Sequence, residues 1–277
     1  MSEIGEGDQQ ALARLRERID AVDAEMHRLL IERASVIDEL ILTKRTGRPA
    51  AAFRPGREAE MMRRLVARHK GSLPLFTVEH IWREIIATFT HMQASFDVAV
   101  DTSVEPERMR DLARFVFGFS VVLNSVASPA AAVAAVGAGN SLGLIARAAS
   151  GPWWRGLVGE RAPKIMAMLP FIAAEQRPAD LPAFVVSPPL ADSAPFDIAA
   201  WALTVPTGFS PPADLGVVLA HAGNEVLFAA PRALAPADLA QRLAADGFSI
   251  SAPPPVGGFA RGIAVGLPSS LLYESRA

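Results

Sequence analysis

The sequence predicts a two-part chain: a helical N-terminal part, then an α/β part built on a mixed sheet. Three observations carry this reading. Across residues 12–44 the apolar side chains Leu12, Leu15, Ile19, Val22, Met26, Leu29, Leu30, Val36, Ile37, Leu40 and Ile41 recur at helical spacing. At about 100° per residue they fall on one stripe. Charge is uneven, with 30 Asp, Glu, Lys and Arg in residues 1–97 and 26 in residues 98–277. Beyond residue 97 short apolar runs alternate with helical ones and prolines cluster at Pro188-Pro189, Pro211-Pro212 and Pro253-Pro254-Pro255, as expected of helices laid on a sheet. The composition therefore places a boundary near residue 97, between domains 1–97 and 98–277.

The first helix is expected from about Asp8 to Arg45, stopping before Gly47 and Pro49. Roughly 35 residues span about 50 Å, too long for a lone three-helix domain to cover, so an antiparallel or intertwined dimer is expected. A second helix opens at Pro55-Gly56-Arg57, where proline suits a first turn. It turns Met61, Met62, Leu65 and Val66 inward and ends at Gly71. A third opens at Thr77 as N-cap, with Val78, Trp82, Ile85, Ile86, Phe89 and Phe96 inward and Gln93 on the same stripe. In the second part strands are expected at 96–100, 120–123, 142–145, 165–169, 183–186, 198–205, 215–220, 225–229 and 263–266. Helices are expected at 106–117, 129–136, 152–158 and 236–246.

Composition narrows the function. Of 277 residues 51% are hydrophobic, enough for a substantial core, and none is cysteine. That excludes disulfides, thiolate nucleophiles and Cys-ligated zinc. A net charge of −2 gives no global footprint for nucleic acid or an anionic membrane. Residues 115–143 are apolar and uncharged, but Ser, Asn, Pro and Gly interrupt them, and no membrane span is expected. The polar, acidic N-terminus lacks a signal-peptide pattern, so a soluble cytoplasmic protein is expected. Gly137-Ala138-Gly139-Asn140-Ser141-Leu142-Gly143 lacks both the dinucleotide fingerprint and a P-loop lysine and reads as a turn. His221 has no second histidine at metal spacing, and no metal is expected. Trp153-Trp154-Arg155 reads as core or interface packing, and no Gly-x-Ser-x-Gly elbow suggests a hydrolase.

Against this background two cations stand out. Arg33 and Lys44 lie in the middle of the first helix's apolar stripe, eleven residues apart and so within roughly 20° of each other. Uncompensated charge on a buried face is expensive, so they call for an anionic partner from another segment or from a ligand. Taken singly each has a structural reading. Arg33 can snorkel from a core edge, Lys44 can face a helix C-terminus, Gln93 can be a bonded core amide, and Arg16 and Arg57 can be ordinary surface cations.

Leu15-Arg16-Glu17-Arg18-Ile19-Asp20 and Asp23, Leu29-Leu30-Ile31-Glu32-Arg33, Lys44, Arg57-Glu58 and Gln93 follow the order and spacing of the all-helical (type II) chorismate mutases. The resemblance includes the mutase domain of bifunctional mutase–prephenate dehydratases and covers about the first third of the chain. It implies an intertwined homodimer and rearrangement of chorismate to prephenate, a step of aromatic amino-acid biosynthesis. No cofactor is implied. The chemistry asks for two clamped carboxylates and stabilisation of the charge that develops on the ether oxygen. By resemblance, Arg33 pairs with one substrate carboxylate and Arg16 of the partner subunit with the other. Lys44 and Gln93 hydrogen-bond the ether oxygen, Glu58 holds a substrate hydroxyl, and Arg57 supports the clamp. Arginine suits a carboxylate because its planar fork binds bidentately.

Two positions depart from the family pattern. Arg54 stands where an acid often precedes the Arg-Glu pair, and Phe89 stands where a small hydroxyl residue commonly sits four before the Gln. Thr88 and Thr90 flank Phe89, and a small register shift would restore a hydroxyl. Residues 98–277 are similar to the two-lobed, periplasmic-binding-protein-like dehydratase domain, but Pro182 and Ala183 replace the Thr and Arg of its Thr-Arg-Phe motif. No dehydratase activity is expected. Two other readings share these residues: an isochorismate pyruvate-lyase working by the same clamp, and a non-catalytic dimeric metabolite sensor.

Overall fold

A computed structural model describes residues 6–44, 53–139, 141–190, 196–212, 214–245 and 254–276. The expected helix stop at Arg45, Gly47 and Pro49, and Asn140, Asp246 and Pro253, lie outside the described residues, as does the side chain of Lys44. The chain divides into two compact units, residues 1–46 and 47–277. The compositional change at residue 97 falls within the second. Charge density marks one division and a shared core marks the other.

The first unit is a single helix, α1 (Glu6–Lys44), 39 residues long and so about 58 Å. It is unbroken, so the angular relations read from the sequence hold along it. Its apolar stripe is exposed from Leu12 to Leu30, with Leu15 at 50%, Ile19 at 59% and Met26 at 52%, and half-buried at Ile37, Leu40 and Ile41. The Arg28 guanidinium bridges Glu25 and Glu32 on the outer surface, ordinary i,i+3 and i,i+4 pairs.

In the second unit, α2 (Pro55–Arg68) and α3 (Leu75–Gln93) precede the sheet. Pro55 occupies the first turn of α2. α3 starts three residues earlier than expected, with Pro74 rather than Thr77 at its N-cap, because the Pro74 carbonyl accepts the Thr77 and Val78 amides. Its buried face is also turned from the expected stripe. Val78, Ile86 and Phe89 are buried, but so are Glu79, Arg83 and Thr90, while Trp82 and Ile85 are half-buried. Phe96 lies beyond the helix, just before the first strand.

The strands are β1 (Asp97–Asp101), β2 (Val122–Val126), β3 (Ser141–Ala146), β4 (Lys164–Leu169), β5 (Ile172–Ala173), β6 (Ala183–Ser187), β7 (Ile198–Thr204), β8 (Val217–Ala222), β9 (Glu225–Pro231), β10 (Pro255–Phe259), β11 (Gly262–Val265) and β12 (Tyr273–Arg276). Nine form one mixed sheet in the order β2-β1-β3-β6-β4-β10-β7-β9-β8, and β12-β11-β5 form a small parallel sheet. β1 runs parallel to β2 and β3, whereas β3, β6 and β4 alternate in direction.

The helices among these strands are α4 (Pro106–Phe117), α5 (Pro129–Gly137) and α6 (Pro236–Ala245). α4 and α5 each have proline in the first turn, and the Ser128 hydroxyl caps α5 by accepting the Ala131 amide at 3.2 Å. The segment expected as a helix at 152–158 is a short 3-10 turn, Trp153–Leu157. Trp153 and Trp154 are buried in the main core with Phe184.

The sequence reading missed β5, β10 and β12. β10 follows a proline cluster and reads Pro255-Val256-Gly257-Gly258-Phe259, which looks like a loop. It is nevertheless an inner strand, parallel to β4 and antiparallel to β7. Its glycines are what admit it. A Cβ on Gly257 (φ +134°) would stand 2.1 Å from the Ile165 carbonyl oxygen, and one on Gly258 would stand 2.6 Å from that of Ile198. Both neighbours are backbone and cannot step aside.

Helices α2 and α3 do not pack only on each other. Ala59, Met62, Leu65, Val78 and Ile86 share a core with Phe171, Ile172 and Ile263 of the small sheet and its approach. α3 also packs on α4, where His80 stacks on Phe115 with ring centroids 4.9 Å apart. Gly257→Ala is expected to destabilise the protein by more than about 1 kcal/mol, read as a lowered urea midpoint.

Candidate functional site

The predicted site residues fall on three helices. On α1, Arg16 is exposed and Arg33 is half-buried, seventeen positions apart on one unbroken helix. Lys44 is the last residue of that helix. Arg57 and Glu58 are neighbours on α2 but face differently: Arg57 is exposed, and Glu58 turns inward with 17% of its side chain accessible. Gln93 ends α3, half-buried, and its Nε2 donates to the Phe89 carbonyl at 2.9 Å. Phe89 itself is 8% exposed and directed into the core. Of the two flanking threonines, Thr90 is buried, and the Thr88 hydroxyl lies 3.5 Å from the Ser120 hydroxyl.

Glu58 enters a small cavity between α2, α3 and the large sheet. Its walls include Phe53, Val116, Phe117, Met166, Met168 and Val185. The charged partner there is Arg83 of α3, whose Nη1 donates to Glu58 Oε2 at 3.1 Å with 5% of the Arg83 side chain exposed. Burial pushes the Glu58 carboxyl above the usual carboxylate range, and Arg83 pulls it part of the way back.

One helical turn before Arg83 lies Glu79. Its carboxylate accepts a 2.9 Å hydrogen bond from Arg177, on the segment between β5 and β6, and the two side chains are 3% and 2% exposed. Burial raises the Glu79 carboxyl, opposed first by Arg177 and then by Arg83. The same burial lowers the Arg177 guanidinium, opposed by Glu79. The Arg177 guanidinium carbon lies 5.2 Å from the Phe76 ring centroid and 5.3 Å from that of Phe115, an aromatic setting suited to a cation.

Sequence reasoning missed Glu79, Arg83 and Arg177. Glu79 and Arg83 stand four apart on a helix, the spacing of an ordinary surface pair, and Arg177 is 98 positions away from its partner. Among the described residues, no group of three or more His, Asp or Glu gathers as a metal site, and no helix is long and apolar enough to cross a membrane. Glu79→Ala is expected to destabilise the fold by roughly 3–5 kcal/mol, because it leaves Arg177 buried without its counter-charge. Glu79→Leu combined with Arg177→Met should restore most of that, and urea unfolding of the three proteins measures it.

Comparison with known proteins places these helices. The model of the family described as chorismate mutase type II matches residues 15–94, a span that includes Arg16, Arg33, Lys44, Arg57, Glu58 and Gln93. A bifunctional chorismate mutase/prephenate dehydratase of Neisseria gonorrhoeae is 36% identical over 84 residues. That stretch is 30% of this chain and 22% of the relative, so the chain matches about a fifth of that protein's length. No solved structure gives a significant match. Residues 15–94 are thus similar to the type II chorismate mutases.

Proposed function

We propose that the chain rearranges chorismate to prephenate, in aromatic amino-acid biosynthesis, as a cytoplasmic homodimer. The observation that carries this is the family match over residues 15–94 together with the cations and polar groups kept inside it. In the rearrangement the ether C–O bond breaks as a C–C bond forms within one molecule, and no group is transferred to the protein. The protein's part is to hold the reactive conformer and to meet the charge that builds on the ether oxygen.

Arg33 and the partner subunit's copy of Arg16 clamp the two carboxylates, with Arg57 in support. Lys44 and Gln93 donate to the ether oxygen, and Glu58 accepts from the substrate hydroxyl. Dimerisation is supported by the exposed stripe of α1, since each large apolar side chain withdrawn from water contributes about 1.5–3 kcal/mol.

Residues 1–97 carry this activity in our reading. Residues 98–277 form a dehydratase-like domain that has lost dehydratase activity, with Pro182 and Ala183 in place of the Thr and Arg that such a domain uses. The buried Phe89 and the Gln93 amide bonded to its carbonyl favour testing isochorismate as the second substrate. On that compound the same clamp would act as a pyruvate-lyase.

Loss of chorismate absorbance, with prephenate identified as the product, tests the reading. Saturable turnover is expected, and Lys44→Ala should lower kcat by about 10²–10³-fold with unchanged urea unfolding. Folded wild-type protein inert towards chorismate would overturn the assignment. Mixed dimers of Arg16→Ala and Arg33→Ala subunits should regain activity through one intact site. Mixtures as inert as their parents would count against a clamp shared between subunits.

A further inference from the structure

The buried charges between the helices and the α/β domain alternate in sign: Glu58, Arg83, Glu79, Arg177. Arg83 carries one positive charge and has a carboxylate on either side. It hydrogen-bonds Glu58 at 3.1 Å, while Glu79, four residues earlier on α3, interacts with it through charge alone. The Nε–H of Arg83 is buried and makes no hydrogen bond, so the guanidinium has a donor to spare. Glu79 instead accepts from Arg177, 2.9 Å away.

Arg177 is held for this task. Its guanidinium lies beside both Phe76 and Phe115, its Nη1 donates to the Ala179 carbonyl at 3.2 Å, and the flanking Gln176 (φ 54°) and Ala179 (φ 52°) adopt the left-handed conformation. Non-glycine residues adopt that conformation rarely, and such backbone persists where the surroundings over-determine it.

We propose that Arg177 is a positioning residue for the mutase site: by neutralising Glu79 it leaves Arg83 to hold Glu58. The α/β domain thereby orients, from within its own loop, a carboxylate of the helical site. The role given to Glu58 rests on the chorismate reading; the coupling from Arg177 to Glu58 does not.

Without Arg177, two buried carboxylates compete for one guanidinium. Glu79 is the more deeply buried, with 3% of its side chain exposed against 17% for Glu58. It gains more from a counter-charge, so Arg83 turns to it and Glu58 is left alone among apolar walls. The charged and titratable groups that face the series are few. Arg83 faces Glu58, with apolar side chains from α4, β4 and β6 around them. Arg177, Arg83 and His80 face Glu79. Glu79, Arg83, Asp180 and the buried Tyr273 hydroxyl, which burial pushes up to about 12, face Arg177.

The test is a carbon-13 NMR titration of the side-chain carboxyls in the full chain, with the Glu58 signal assigned by its loss in Glu58→Gln. A carboxyl deprived of its cation in a buried site protonates at higher pH. Arg177→Gln should therefore raise the Glu58 midpoint by about one pH unit or more, and Glu79→Gln added to it should return the midpoint to the wild-type value. If Arg177→Gln does not fold, Arg177→Lys, which keeps the charge without the planar fork, should give a smaller rise in the same direction.

An unmoved Glu58 midpoint in the folded variant, or a rise that Glu79→Gln fails to reverse, overturns the proposal. The acid limb of kcat/KM for chorismate should move with the Glu58 midpoint in each variant. Wild-type protein without turnover would sink the chorismate reading and leave the titration to decide the coupling. Turnover whose acid limb stays fixed while the Glu58 midpoint moves would overturn the positioning role.

Discussion

Taking a guanidinium and a carboxylate out of water costs several kcal/mol for each ion, and Arg177 and Glu79 are withdrawn almost completely. Such a pair holds where geometry, counter-charge and packing agree, and here they do. The aromatic rings of Phe76 and Phe115 flank the cation, Arg83 stands beside the anion, and Glu58 in turn accepts from Arg83. The second unit depends on this series. The pairs fix how α3 turns on its axis, which decides that Glu79 and Arg83, rather than Trp82 and Ile85, are its buried residues. The rotation of α3 then sets where Gln93 and Phe89 lie at its far end.

The apolar packing points the same way. Met62, Leu65, Val78 and Ile86 close on Phe171, Ile172 and Ile263, so α2 and α3 share a core with the small sheet and its approach. The chain beyond the helices supplies both a buried cation, Arg177, and part of the hydrophobic wall. Phe171, Ile172 and Ile263 complete the surface on which α2 and α3 are laid. The helix α1 is the converse case. Its charged flank is ordinary surface, and its apolar stripe is exposed from Leu12 to Leu30 and half-buried at Ile37, Leu40 and Ile41.

Much of the fold was legible from local chemistry. The 3.6-residue period drew α1 nearly end to end, a first-turn proline marked α2, and apolar runs located β3, β4, β6 and β7 to within a residue or so. Where reading failed, a distant neighbour had overruled a local signal. Thr77 looked like a cap, but the Pro74 carbonyl had already started the helix. Pro255-Val256-Gly257-Gly258 looked like a loop, but β4 and β7 approach so closely that glycine is what fits between them. Trp153-Trp154 formed a 3-10 turn because both indoles are drawn into the core.

By itself the sequence determined the helical-then-α/β order and the long amphipathic helix. It also set the position of Arg16, Arg33, Lys44, Arg57, Glu58 and Gln93 at the spacing of the type II chorismate mutases, because period and spacing are properties of one stretch of chain. Only the tertiary structure decided which way Glu58 turns and what holds it there. The reason is range. Arg83 is 25 positions from Glu58 and Arg177 is 98 from Glu79. A charge is stabilised by whatever folding brings within about 3 Å of it, and no local pattern in the sequence records that distance.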